Sequence, residues 1–257
     1  MFDKGDLPNV TLGVSSLIGT RPEQQDSVYA EILEDSVVAC LCDGMGGLDK
    51  GELASQTAIF TFAEDYDKWD RSSLSVPDFF RQEVVEMDMV VSELKGDDGE
   101  AIRAGTTASA VIIRNKELYW MNVGDSRVYI IRGDEIISAT REHNYRMRLD
   151  EALKAGTIDE EVYKREESQA EALISYIGMG NITLMDINSK PFRLQSGDIV
   201  LVCSDGLYRT LSDSEIHDIV SKHLPNTQVI ADTLTETAIF KSFESQDNTS
   251  AVVIHCL

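Results

Sequence analysis

Five aspartates stand where they could do chemistry together. Asp43 follows the apolar run 37–42 and precedes G-M-G-G, and Asp205 follows I-V-L-V-C-S and precedes Gly206. Asp125 lies in N-V-G-D-S-R between two strand-like runs, Asp247 in Q-D-N-T-S before the last one, and Asp26 in R-P-E-Q-Q-D-S before another. Each caps a segment whose neighbours should be buried, and Gly beside two of them lets the backbone approach a ligand closely. Taken singly, each reads as a turn residue, because Asp and Gly favour turns for backbone reasons. Gathered at one place they could not all stay ionised unaided, since like charges at close range raise one another's pKa. Divalent cations resolve that conflict, and an all-oxygen set without Cys or His selects hard ions, Mg²⁺ or Mn²⁺, ahead of zinc.

The runs that must position these acids are mostly strand-like. V-T-L-G-V-S-S (10–16) alternates, S-V-Y-A-E-I-L (27–33) does so more loosely, and V-V-A-C-L-C (37–42) is apolar throughout, as expected of a strand covered on both faces. T-T-A-S-A-V-I-I-R and E-L-Y-W-M-N-V meet across Asn115-Lys116, and R-V-Y-I-I-R and E-I-I-S-A-T across Gly133-Asp134. Both pairs are too close in sequence for a crossover helix and predict antiparallel hairpins. Further strands are expected at I-T-L-M-D-I-N, I-V-L-V-C-S and S-A-V-V-I-H.

Helices are expected between them. Residues 52–65 carry Leu53, Ala54, Thr57, Ala58, Phe60 and Phe62 as one broad apolar face. From Pro77, a first-turn residue, Phe80, Val84, Met87, Val91 and Leu94 recur at three- and four-residue steps until Gly96. Later helices are predicted over 213–222 and 227–243. The segment 145–172 is charged and helical in pattern, with a break at Gly156, and reads as an exposed excursion from the sheet. With no repeat and no Pro-, Gly- or Ser-rich linker, residues 1–257 read as one domain, of class α+β, with sheets packed on each other and covered by helices.

Composition narrows the function. Of 257 residues, 42% are apolar, and Lys plus Arg number 23 against 45 for Asp plus Glu, a net charge of −22. Such a field opposes nucleic acid and anionic lipid, which are bound by neutralising phosphates with cations. No stretch approaches the ~18 apolar residues of a membrane span, and the opening M-F-D-K-G-D-L-P lacks the regions of a signal peptide. A cytoplasmic protein is expected. Cys40, Cys42 and Cys203 sit in apolar runs and Cys256 lies beside the C-terminus, so all four read as buried thiols of a reducing compartment. Cys40 and Cys42 share a strand face, but no second pair or nearby His completes a zinc site.

In order along the chain, R-P-E-Q-Q-D-S, L-C-D-G-M-G-G, A-G-T-T-A, N-V-G-D-S-R-V-Y, C-S-D-G-L and Q-D-N-T-S resemble the metal-dependent protein phosphatases of the type 2C kind, particularly their short bacterial members. The likeness includes L-D-E-A-L-K-A-G-T-I-D-E-E, similar to that family's flap near 145–172, and I-S-Y-I-G-M-G after it. The resemblance implies a four-layer α-β-β-α sandwich of two antiparallel sheets flanked by helices. It implies a Ser/Thr phosphoprotein phosphatase in which two Mn²⁺ or Mg²⁺ ions activate water for in-line hydrolysis, with a third, weaker metal. By the same resemblance Asp43 bridges the pair, the Gly44 carbonyl helps hold one ion, Asp205 and Asp247 complete the other's shell, and Asp26 acts mostly through waters. Asp125 with Asp205 would hold the third metal, Arg21 would grip the phosphate, and Gln25 and Asn248 would support the ligands from behind. Partners implied are phosphorylated proteins, including a Ser/Thr kinase.

Two residues depart from the family pattern. Gln24 stands where Asn is usual three residues after the Arg, and Met45 stands where animal members carry a His. His143, in R-E-H-N, matches a D-H pair near the third metal with Glu142 in the acid's place, whereas His217, His223 and His255 read as helix-surface or terminal residues.

Three rival readings compete. Cys203 to Arg209 satisfies C-x5-R, but Asp205 inside such a loop would repel phosphate and raise the thiol pKa. D-G-M-G-G resembles a nucleotide loop, yet Asp49 replaces the third Gly of G-x-G-x-x-G and no G-K-[ST] exists. A catalytically weak phosphatase-like scaffold that binds phosphoproteins would have lost ligands, and all five carboxylates are present.

Overall fold

Residues 37–42 alternate between two cores. Val37, Ala39 and Leu41 face an opposing sheet, while Val38, Cys40 and Cys42 face helices, and all six are fully buried. A period-two strand buried on both sides must be apolar at every position, which is why this run carries no polar residue.

The computed structural model describes residues 10–45, 50–96, 98–242 and 244–257. Its first half holds β1 (Val10–Leu17), β2 (Asp26–Ile32), β3 (Val37–Met45), helices α1 (Gly51–Lys68) and α2 (Val76–Ser92), then β4 (Gly105–Thr106), β5 (Ala108–Arg114) and β6 (Glu117–Val123). There follow β7 (Arg127–Arg132), β8 (Glu135–Ser138), α3 (Tyr145–Lys154), α4 (Glu160–Glu166), β9 (Asp186–Ile187), β10 (Phe192–Arg193) and β11 (Ile199–Cys203). Helices α5 (Asp205–Tyr208), α6 (Asp213–His223) and α7 (Thr227–Lys241) precede the last strand, β12 (Thr249–Cys256).

One sheet runs β1-β12-β11-β7-β8 and the other β10-β6-β5-β3-β2, with β4 on β3 and β9 on β6, every pair antiparallel. Val200, Val202, Val252 and Ile254 of the first meet Val37, Leu41, Val111 and Ile113 of the second. The outer faces are closed by α1 and α2 through Ala58, Phe62, Phe80 and Met87, and by α6 and α7 through Ile216, Val220, Ile230 and Leu234. This is the α-β-β-α sandwich. At roughly 1.5–3 kcal/mol per large apolar side chain fully buried, these three cores dominate the favourable side of folding.

Local signals explain most boundaries. Ser75 caps α2 by accepting from the Asp78 N–H, with Pro77 in the first turn. Asn115 and Lys116 both take positive φ (52° and 61°), giving the tight turn that matches strand twist between β5 and β6. Gly156, at φ 70°, separates α3 from α4, and of these two helices only Leu149 is buried.

Some expectations needed correction. Phe60 is 64% exposed, because α1 buries the Ala54–Ala58–Phe62–Tyr66 row and Phe60 points away from it. Helix α2 stops at Ser92, before Gly96, where the Glu93 N–H turns back onto Met89 and Val91 carbonyls. The expected strand 182–188 shrinks to Asp186–Ile187: Asn188 places its side-chain oxygen on the Trp120 N–H, taking the place of a ladder bond before β10 resumes pairing with β6. His255 is a buried strand residue rather than a surface one.

Candidate metal centre

Both sheets send acids to one end of the sandwich. The β2–β3 register places Asp26 directly across from Asp43, an arrangement that is unfavourable for two like charges. Where β11 ends, Ser204 and Asp205 begin α5, and Asp125 follows Gly124 in the link from β6 to β7. Asp247 stands just ahead of β12. A cleft of about 400 Å³ is lined by Asp43, Asp125, Asp205 and Asp247 with Arg21, Gln25 and Gly44. Seven of the nine residues expected at the site therefore meet in one depression. The remaining two lie behind its wall: Asp26, only 6% exposed, and Asn248, buried beneath the loop that carries Arg21.

The backbone around these acids is tightly specified. Thr107 clamps Asp43 from two sides, its Oγ1 accepting from the Asp43 N–H at 3.0 Å and its own N–H donating to the Asp43 carbonyl at 2.9 Å. A Cβ at Gly44 would collide with the Gly51 and Gln25 backbones, and one at Gly206 with that of Asn248, so both positions require glycine for space. Asn248 accepts from the Gln25 N–H at 2.8 Å and donates to the carbonyls of Ile18 (2.8 Å) and Glu23 (3.0 Å), stapling residues 18–25 in place. Gln24 makes a local turn bond, its Oε1 accepting from the Asp26 N–H at 3.2 Å, while its amide donates to Ser16. Gly46 and Gly47 of the D-G-M-G-G motif, Asp49, and the opening residues 1–9 lie outside the described residues.

The acids are poorly satisfied. Asp26 accepts from Ser204 Oγ at 2.8 Å through one oxygen, but its buried Oδ1 has no partner. Burial, reinforced by Asp205 and Asp247 and opposed by the hydroxyls of Ser250 and Ser204, pushes its carboxyl up to about 7. Burial and then Asp26, Asp205, Asp125 and Asp247 hold Asp43 well above the usual carboxylate range. Asp125 is pushed up to about 7 by burial and Asp205, and Asp205 is raised by burial despite Arg209 beside it. Four acids that resist ionisation together form an environment completed by hard cations. The orphaned Asp26 oxygen and the all-oxygen donor set fit Mg²⁺ or Mn²⁺.

Among the described residues, no three acidic, His or Cys side chains already stand as a metal cage. The chain's own cations pair with three of the site's carboxylates. Arg21 bonds Asp247 at 2.6 Å, and Arg209 reaches Asp205 at 3.0 Å, Asp125 at 2.9 Å and Glu171 at 3.2 Å, turning the carboxylates toward guanidinium groups.

A model of the Protein phosphatase 2C family matches residues 17–152. The protein phosphatase PhpP of Streptococcus pneumoniae is 31% identical over 187 residues, 72% of this chain and 73% of its own. The chain belongs to the protein phosphatase 2C family. It is accordingly a metal-dependent serine/threonine protein phosphatase, a hydrolase of phosphoric monoesters. The solved S. agalactiae serine/threonine phosphatase is 26% identical and superposes with a TM-score of 0.82 over 96% of this chain and all of that one. The catalytic domain of PstP, solved in complex with two manganese ions, shares the fold at 24% identity and a TM-score of 0.75, covering 96% and 97% of the two chains.

Within this phosphatase 2C site, some participants escaped sequence reasoning. Arg209 drew attention only as the end of a coincidental C-x5-R; in the fold it is the cation shared by Asp205, Asp125 and the excursion residue Glu171. Its i, i+4 spacing from Asp205 at the start of α5 was the available signal. Thr107 and Ser204, both fully buried, were visible only as parts of motifs. His143 is fully buried, and its ring Nδ1 accepts from the Gly124 N–H at 3.2 Å while its backbone N–H donates to the Gly124 carbonyl at 2.8 Å. It fixes the loop that presents Asp125. Cys203 is buried and its thiol is raised far above its ordinary value, mainly by burial, so it is no nucleophile.

Proposed function

We propose that the cleft holds two Mn²⁺ or Mg²⁺ ions, with Asp43 between them, the Gly44 carbonyl on one, and Asp205 and Asp247 on the other. Asp26 supports the centre from behind Asp43, Asp125 with Asp205 offers a third, weaker position, and Asn248 and Gln25 keep the Arg21 loop in register. The unpartnered, buried oxygen of Asp26, facing a cluster of acids raised in pKa, carries this reading. When bound, such a cation pair lowers the pKa of a water nucleophile and neutralises phosphoryl oxygens.

The chain's residues supply the rest. Arg21, its side chain 56% exposed and committed to Asp247 through one nitrogen, keeps further N–H donors for a phosphate dianion. In a protein of net charge −22 a local cation is required where a dianion must enter. Direct hydrolysis by water, without a covalent enzyme intermediate, suits a cleft lined by acids and Arg21. With Met45 rather than His at the rim, the alkoxide leaving group takes its proton from solvent in the cleft. We read the chain as one phosphatase domain, with 145–172 as its flap, acting in the cytoplasm on phosphorylated proteins, a Ser/Thr kinase among them. Four free, buried cysteines support that compartment, and among the described residues no helix is long and apolar enough to cross a membrane.

The deciding experiment is Mn²⁺-dependent hydrolysis of an aryl phosphate beside an Asp43→Ala control. Activity is expected to survive thiol alkylation and to disappear in chelator. Turnover no greater than the control's would favour a phosphoprotein-binding scaffold.

A further inference from the structure

Beyond Met45 the acid-lined cleft opens into a second cavity of about 570 Å³. Ile102, Ala104, Tyr176 and Met179 wall it, and it shares Met45 and Leu173 with the first. The two share a wall and form one depression, acidic at one end and mixed at the other, where apolar side chains outnumber the polar Ser92 and Arg103.

The apolar end is held in shape by an unusual device. Gly178, Gly180 and Asn181 all take positive φ (99°, 71° and 137°), and for Asn181 that conformation is strained. Asp88 of α2, only 5% exposed, accepts the N–H groups of all three, at 2.8, 3.1 and 2.9 Å. On the near side Thr106 and Ile177 exchange backbone hydrogen bonds, and the Tyr176 ring lies against Gly105, where a Cβ would collide with it. The turn so fixed leaves Met179 at the rim, 42% exposed. A buried carboxylate spent on holding a strained turn, with a large apolar side chain displayed at its tip, is preorganisation of a binding surface.

Resting on the phosphatase reading above, we infer that this groove is a substrate subsite that takes a large aliphatic or aromatic side chain close in sequence to the phosphoserine or phosphothreonine. A polypeptide extended from the acid cleft advances about 3.3 Å per residue and crosses Met45 and Leu173 directly into the groove. The occupant is apolar because Ile102, Ala104, Leu173, Tyr176 and the two adaptable thioethers of Met45 and Met179 supply most of the wall, with Arg103 as its one charged lining residue. An aryl phosphate is too short to use it.

The test is kcat/KM with Mn²⁺ on phosphothreonine peptides in which each of three positions on either side is Leu or Ser in turn. One position should favour Leu by about tenfold or more. Met179→Gln should cut that ratio below threefold while ratios at the other positions hold, and Asp88→Asn, which frees the turn, should blunt the same position. No position favouring Leu by more than twofold, or a preference untouched by Met179→Gln, overturns the subsite. Absence of Mn²⁺-dependent turnover on the aryl phosphate as well as on every peptide would instead overturn the catalytic reading, and the groove with it.

Discussion

Two regions of this protein bury carboxylates equally and treat them differently. Asp88 and Asp198 are 5% and 1% exposed, much like Asp26 and Asp125 at 6% and 5%. Asp88 receives three backbone N–H groups, and Asp198 receives two nitrogens of Arg132, at 2.8 and 2.6 Å, and the Gln195 N–H at 2.7 Å. At the sandwich end, Asp26 has the Ser204 hydroxyl on one oxygen, with the Ser250 hydroxyl nearby, and no hydrogen-bond partner on Oδ1. Burial alone therefore says little about function. What marks a site is a buried acid that the chain leaves unsatisfied, and Glu83 refines the point. It too is 3% exposed with a bare Oε2, pushed up to about 8 by burial, Asp65 and Glu86. A buried acid whose acidic neighbours, like Asp65 and Glu86, stay partly exposed takes up a proton and becomes a neutral core group, whereas several acids converging in one cleft compete for charge and call for a cation.

The largest effect that could break this contrast is expected at Asp43. Asp43→Asn should lower Mn²⁺-dependent aryl phosphate turnover by about 10³-fold or more, while the melting temperature of the metal-free protein holds or rises because an unfavourable buried charge is gone. Retention of most turnover would erase the distinction between the two acid sets. Next comes the satisfied set: Asp88→Asn should destabilise by about 2 kcal/mol, since a carboxylate accepting three donors is replaced by a weaker acceptor. For a chain of this size that is a fall of roughly 4–8 °C in thermal melting.

A third measurement separates Glu83 from the site. Its folded pKa lies above the unfolded value, so the folded state holds a proton that the unfolded state has released, and stability falls as pH rises from about 4.5 to about 8. Glu83→Gln should flatten denaturant-derived stability across that window; an unchanged slope would assign the fall to other groups. The smallest effect is expected from Arg209→Gln, which severs the tie from Asp205 and Asp125 to Glu171. Amide exchange over 145–172 should quicken a few-fold, and equal rates in both proteins would show that this segment is held elsewhere.

Much of this architecture is written locally. Period-two runs, the Asn115-Lys116 and Gly133-Asp134 turns, and the Ser75–Pro77 helix start depend on neighbours a few residues apart, and each lies where sequence reasoning puts it. The 182–188 segment does not, because whether an alternating run becomes a strand depends on a partner edge, and there Asn188 substitutes for the ladder. Phe60 shows the same limit: apolarity is local, but which helical face meets the sheet is a packing outcome.

The chemistry divides likewise. Residue type alone determined an acidic chain with a hard-cation donor set, because an oxygen-only donor set and a net charge of −22 are properties of composition. Phosphatase activity was legible only through the likeness of its ordered motifs to a known family. Only the tertiary structure decided that Asp26 pairs directly across from Asp43 yet stays buried, that Arg209 ties two site acids to Glu171 of the 145–172 excursion, and that Asp88 braces a groove running on from Met45. Those facts depend on sheet register and on contacts between distant segments, such as Asp26 and Ser204, 178 residues apart, and Arg21 and Asp247, 226 apart. No local pattern encodes such distances, since they are set by how the two sheets and their helices pack.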